Sequence, residues 1–228
     1  MHTLRIASDW HLAPGTPPED ARLALAFLRR ARADGAAVIL NGDVFDDLYS
    51  GRGRCERAHP DVVLELERLR AEGRLRRIRG NHDPGAGDER VVLDWPGMGR
   101  VVVAHGDAVD PVHQSWLGRL GHALSLRFGR LGVVRLATAL AEAVVRGVAG
   151  RRLLEGFRAR CSAFVERERC VLGVFGHVHA QHLAPGDRYA NAGWLRHGRL
   201  EYLELTPGGA RLGALTAADL DPDLRAGA

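Results

Sequence analysis

Val38-Ile39-Leu40-Asn41-Gly42-Asp43-Val44-Phe45-Asp46 is the stretch on which the rest of the chain depends. Ala36 to Leu40 is a short apolar run of the kind that forms a buried strand. Asn41-Gly42 is a turn signal, where the backbone must bend sharply. Asp43 therefore stands just past the carboxyl end of a strand, the place where open α/β sheets collect ligands. A carboxylate has two oxygens and can hold two cations, so Asp43 is expected to bridge a pair of metal ions.

Working outward, Leu4 to Ser8 reads as a first strand, followed by Asp9-Trp10-His11 and a loop rich in Pro and Gly. Glu19 to Asp34 has helical spacing, with Leu23, Ala24, Phe27, Leu28 and Ala31 on one face and Gly35 as its stop. Strand, helix and strand in this order imply a parallel pair joined by a right-handed crossover. Tyr49 to Arg57 reads as an exposed loop. Asp61 to Glu72 reads as an amphipathic helix burying Val62, Val63, Leu66 and Leu69. Leu75 to Arg79 is expected as a third strand and Gly99 to Ala104 as the next, with only a loop between. Pro111 to about Glu168 is expected to be a basic helical insertion. Val171 to Phe175 returns as a strand. Tyr189 to Leu215 alternates like short antiparallel strands turning at Gly208-Gly209, and the tail after Thr216 reads as loosely held. The fold class is α/β, one domain with an insertion at 111–168.

Composition bounds the class. The 228 residues are 46% hydrophobic and 26% charged, enough for one domain with a real core. No apolar run approaches the ~20 residues of a membrane span, and no secretory apolar segment precedes the first strand, so a cytoplasmic location is expected. Cys55, Cys161 and Cys170 form no CxxC pair and are expected as free thiols. All 32 basic residues are arginine. Between Pro111 and Arg160, nine arginines face two glutamates, a local charge of 9 − 2 = +7.

Five strand ends carry Asp, His or Asn: Asp9/His11, Asp43/Asp46, Asn81/His82, His105 and His177/His179. In extended backbone, positions i and i+2 point the same way, so each Asp9-x-His11 and His177-x-His179 pair can reach one site. Parallel strands bring their carboxyl ends to one edge. The donor set is oxygen and imidazole without thiolate, which suits manganese, iron or zinc and disfavours calcium. Two divalent ions about 3.5–4 Å apart suit in-line displacement at phosphorus, polarising the phosphoryl oxygens and acidifying a bridging water. A single Asp or His at a loop is usually a cap, a turn former or a solvated side chain; five such ends together argue otherwise. Asp46 alone reads equally well as a helix N-cap. His2, His59, His113, His122, His182 and His197 fit no pattern, and Asp83 and Asp107 read as turn residues.

Asp9-x-His11, Gly42-Asp-Val-Phe-Asp46, Gly80-Asn-His-Asp83, His105-Gly106 and Gly176-His-Val-His179 resemble, in order, the five signature motifs of the calcineurin-like metallophosphoesterases. The resemblance implies a two-sheet sandwich flanked by helices and a phosphoesterase with two divalent ions, manganese first and iron or zinc as alternatives. It implies that Asp9, His11 and His179 hold one ion and that Asn81, His105 and His177 hold the other, with Asp43 bridging. His82 would protonate the leaving oxygen or stabilise phosphoryl charge, with Asp46 orienting its ring.

The basic segment points to substrate. Leucines, valines, Trp116 and Phe157 recur there at three- and four-residue spacings, so a helical lid with an apolar groove and an arginine rim is expected. Such a lid would suit an amphiphilic phosphate ester at a membrane surface. An insertion at this place is similar to that of the UDP-2,3-diacylglucosamine pyrophosphohydrolases, which implies a nucleotide-linked lipid substrate. That subgroup carries arginine after the Asn ligand; His82 stands there instead, as in general phosphodiesterases and phosphatases acting on nucleotides or phosphoproteins. A metal-binding scaffold without catalysis would be expected to lack ligands. Nucleic acid is disfavoured, because few aromatics accompany the arginines for base stacking.

Overall fold

The computed structural model describes residues 3–110 and 132–220, with the stretch 132–149 described by its backbone alone. Its strands are β1 Leu4–Ala7, β2 Ala37–Asn41, β3 Leu75–Ile78, β4 Arg90–Trp95, β5 Gly99–Ala104, β6 Leu172–Phe175, β7 His182–Leu183, β8 Tyr189–Asn191, β9 Leu195–Arg196, β10 Arg199–Thr206 and β11 Gly209–Thr216. The helices are α1 Pro18–Ala33, α2 Asp47–Ser50, α3 Arg52–Ala58, α4 Pro60–Ala71 and α5 Gly132–Arg167. The first sheet runs β11-β10-β1-β2-β3, with β9 paired to β10; the second runs β4-β5-β6-β8-β7. Within them β1, β2 and β3 are mutually parallel, as are β5, β6 and β8.

Side-chain alternation explains the layering. Leu4, Ile6, Ile39 and Ile78 of the first sheet pack against Val101, Val103, Leu172 and Val174 of the second. The intervening Ala7, Val38 and Leu40 face outward and are covered by Leu23, Phe27 and Leu28 of α1 and Leu66 and Leu69 of α4. On the far side, Val102 and Phe175 are covered by Phe157, Cys161 and Val165 of α5. Strands buried on both faces read as continuous apolar runs, which is why Ala36 to Leu40 lacks polar alternation. The result is two sheets between helical layers, as expected.

Local details depart from the sequence reading in places. Tyr49 to Arg57 is no loop: it forms most of α2 and α3, and Cys55 of α3 is buried in the core. The stretch before Gly99 holds β4, an edge strand antiparallel to β5. The 189–215 region is not wholly antiparallel, since β8 pairs parallel to β6. The β10–β11 hairpin turns at Pro207-Gly208, with Gly209 already paired to Thr206. After Thr216 a 3₁₀ turn, Ala217–Asp219, closes with a capping box and leaves Leu220 buried. Cys55, Cys161 and Cys170 are free and buried. Residues 111–131 of the expected insertion lie outside the described residues. The rest is α5, whose C-terminal half packs on the second sheet.

Candidate metal centre

The carboxyl ends of β1, β2 and β3 bring Asp9, His11, Asp43, Asp46, Asn81 and His82 to one edge of the first sheet. The ends of β5 and β6 bring His105, His177 and His179 to the matching edge of the second. Across this seam the side chains meet. His179 Nε2 lies 3.1 Å from Asp9 Oδ1 and 3.2 Å from His11 Nε2. His105 Nε2 and His177 Nδ1 lie 3.2 and 3.0 Å from Asn81 Oδ1. Asp43 stands between the groups: its Oδ2 is 3.3 Å from His105 Nε2 and 3.9 Å from His11 Nε2. Its Oδ1 accepts the backbone N–H of His82 at 2.8 Å, so one oxygen, not two, faces both groups.

Backbone geometry is bent to this purpose. Seven non-glycine residues among those described have positive φ, and five are Asp9, His11, Asp43, His177 and His179, at 46° to 70°. Left-handed backbone at a residue with a Cβ costs about 1–3 kcal/mol, so the strain is concentrated at the site. The close approach of the loops also demands glycine. At Gly42, φ is +82° and a Cβ would come within 2.5 Å of His105 Nδ1.

Hydrogen bonds fix the loops. Asp9 N–H donates to Gly42 O and His11 N–H to Asp43 O, tying the β1 and β2 loops together. His177 N–H donates to the Asp9 carboxylate at 3.0 Å, and Asn41 Nδ2 donates to Ala104 O at 3.0 Å, which joins the two sheets. His82 Nδ1 lies 2.8 Å from Asp46 Oδ1. Asp46 does occupy the N-cap position of α2, yet its side chain caps nothing and serves His82 instead.

The donor set fits a cation. His105 Nδ1 lies 2.9 Å from the Asn41 carbonyl, which can only accept, so Nδ1 carries a proton. Nε2 faces Asp43 Oδ2 and Asn81 Oδ1, and although burial opposes it, the Asp43 and Asp9 carboxylates hold the His105 pKa well above its usual value, so Nε2 carries a proton there that a bound cation would replace. Acceptors facing acceptors need either a proton or a metal between them. Asp9, Asp43 and His105 are nearly fully buried. Burial acts against the Asp43 carboxylate, but the charges of His105 and His82 outweigh it and hold its pKa well below the usual range. Burial likewise opposes ionisation of Asp9, while His179 and His105 bring its pKa down to about 2. Burial lowers His11 to about 4, keeping it a neutral donor. Among the described residues, three sets of His, Asp or Glu side chains have ligand atoms within 4.8 Å of one another: Asp9, His11 and His179; His11, Asp43 and His82; and Asp9, Asp43 and His105. One contains His82, read as a non-ligand.

Residues that the sequence reading missed sit around this set. Asp83 is no mere turn residue. It is fully buried, accepts N–H bonds from Asp43, Val44 and Gly80 at 2.9–3.0 Å, and pairs with Arg77 at 3.2 Å. Asp110 Oδ2 lies 2.8 Å from His177 Nε2. Trp194 stacks on the His179 ring at 4.9 Å and 16°, and Arg196 lies over the indole at 5.1 Å. Asp83 lies within the Gly80-Asn-His-Asp83 motif, whereas Asp110 and Trp194 carry no local signal. Among histidines outside the motifs, His59 lies 2.8 Å from Ala13 O and His182 pairs with Asp187. His2, His113 and His122 lie outside the described residues.

The calcineurin-like phosphoesterase family profile matches residues 2–181 of the 228. Proteins named UDP-2,3-diacylglucosamine hydrolase from Bordetella parapertussis and Bordetella pertussis are 34% identical over 118 residues, 46% of this chain. The match spans 45% of the length of those curated relatives. Among solved structures, vacuolar protein sorting 29 of Cryptosporidium parvum aligns at a TM-score of 0.44 and 14% identity, over 93% of this chain and 96% of its own. A Thermotoga maritima protein aligns at 0.43 and 20%, over 95% and 99%. The family profile covers every motif at the seam, and the chain belongs to the calcineurin-like phosphoesterases, as a metal-dependent phosphoesterase.

Proposed function

We propose that the chain is a dinuclear-metal hydrolase of a phosphate ester or pyrophosphate, acting on a nucleotide-linked diacyl sugar. The observation that carries the dinuclear reading is Asp43 Oδ2, set between His105 Nε2 at 3.3 Å and His11 Nε2 at 3.9 Å. Asp9, His11 and His179 would hold one ion, and Asn81, His105 and His177 the other. When bound, such a pair supplies positive charge for the phosphoryl oxygens and a nucleophile at neutral pH, with manganese the first candidate and iron or zinc the alternatives. The chain's own groups do the rest. His82, held through Nδ1 by Asp46, presents Nε2 to the leaving oxygen and delivers a proton there. Asp46 stabilises the imidazolium and fixes its orientation.

Two observations support the lipid-linked substrate: the relatives' name and the charge of +7 between Pro111 and Arg160 among apolar residues. Contact of that segment with a membrane surface, on its cytoplasmic side, belongs to the same proposal. No helix of the described residues is long and apolar enough to cross a membrane. The test is manganese-dependent release of UMP from UDP-2,3-diacylglucosamine by the pure protein. Turnover of small esters without UMP release would instead support a phosphodiesterase or phosphatase of soluble substrates. The His82–Asp46 pair favours that second reading, because a general acid is what a poor alkoxide leaving group needs.

A further inference from the structure

The two sides of the centre are built from different charges. The side of Asp9, His11 and His179 has a carboxylate of its own. The side of Asn81, His105 and His177 has a neutral amide in the corresponding place, and both share Asp43. Imidazoles that bind metals usually give their second ring nitrogen to an acceptor, and a carboxylate there raises ligand basicity. His105 uses the Asn41 carbonyl at 2.9 Å. His177 uses Asp110 at 2.8 Å, and the Asp110 side chain is only 18% exposed. On the opposite side, His179 Nδ1 is buried and has no hydrogen-bond partner among the described residues; its ring stacks on Trp194.

We propose that Asp110 is a positioning residue which supplies, through His177, the negative charge that the Asn81 side lacks, so that each cation position has one carboxylate of its own and shares a third. This rests on the dinuclear reading above. Phe157 of α5 also packs 6.0 Å from the His177 ring.

The experiment is calorimetric titration of the metal-free full chain with Mn²⁺, comparing wild type, Asp110→Asn, Asp110→Glu and Trp194→Ala. Wild type is expected to bind two ions. Asp110→Asn should weaken one binding event by about 10–100-fold and leave the other unchanged, with the melting temperature of the metal-free protein unaltered. Asp110→Glu should restore part of the loss, since the charge returns. Trp194→Ala should weaken the opposite event. Two ions bound with both events unchanged in Asp110→Asn, or both weakened equally with a lower melting temperature, would overturn the proposal alone. Fewer than two ions in wild type would overturn the dinuclear reading and this one with it.

Discussion

The two sheets contribute different chemistry to one seam. The first supplies every oxygen donor, Asp9, Asp43 and Asn81, together with His11 and the His82–Asp46 pair. The second supplies imidazole alone, His105, His177 and His179. In the proposed assignment each ion takes ligands from both sheets. The bonds that hold the donors therefore also hold the sandwich shut: Asn41 donates to Ala104 O and receives from His105, and Asp9 receives from His177. The lesson is that the site reports on the packing of the whole molecule, and the β1 and β2 ends cannot be altered without loosening the β5 and β6 ends.

The largest expected effect comes from removing the group that faces both sheets. Asp43→Ala takes away the oxygen between His105 and His11 and the acceptor for His82 N–H. Metal analysis should find both ions lost and activity at background; retention of one tightly held ion would mean that the two sides are independent. Next, His82→Ala removes a first-sheet group that the proposal keeps out of the ligand set. Metal content should stay at the wild-type level while kcat falls by roughly 10²–10⁴. An unchanged kcat would reject its assignment as the acid.

Asp83→Ala should loosen the first-sheet loops directly and, through Asp43, the second-sheet ends less. It leaves the N–H groups of Asp43, Val44 and Gly80 without their acceptor and Arg77 without its partner. A loss of about 1–3 kcal/mol in chemical unfolding is expected; a loss within error would mean that water replaces the carboxylate.

The smallest effect lies off the seam. Burial and the nearby Asp83 charge raise the Asp47 carboxyl to about 6. The folded chain therefore binds this proton more tightly than the unfolded chain, whose Asp titrates near 4. Stability from this group is present below about pH 4 and is lost as pH rises toward and through 6. Asp47→Asn should raise the melting temperature at pH 8 and change it little at pH 4. A gain of equal size at both would show that the carboxyl is not shifted.

How much of this could be read beforehand depended on where the signal resides. The strand-to-turn transitions after Ala7, Asn41, Ile78, Ala104 and Phe175 are local, so apolar runs ending in Gly, Asn or Asp revealed them. The seam itself followed from parallel pairing. Asp83 looked like a turn residue because its four partners are distant or backbone atoms. Asp110 and Trp194 act through rings that reach them only in the folded chain. The edge strand β4 was missed although Val91-Val92-Leu93 is a β-forming run, because charged residues surround it. Helices α2 and α3 were hidden by Gly and Arg, their formation resting on burial of Leu48 and Cys55.

The central claim is that residues from both sheets cage two ions on either side of Asp43. Anomalous diffraction from crystals of the manganese-loaded protein tests it directly. Two peaks are predicted, one among Asp9, His11 and His179 and the other among Asn81, His105 and His177, with Asp43 Oδ2 between them. A single peak, or peaks away from Asp43, would contradict it.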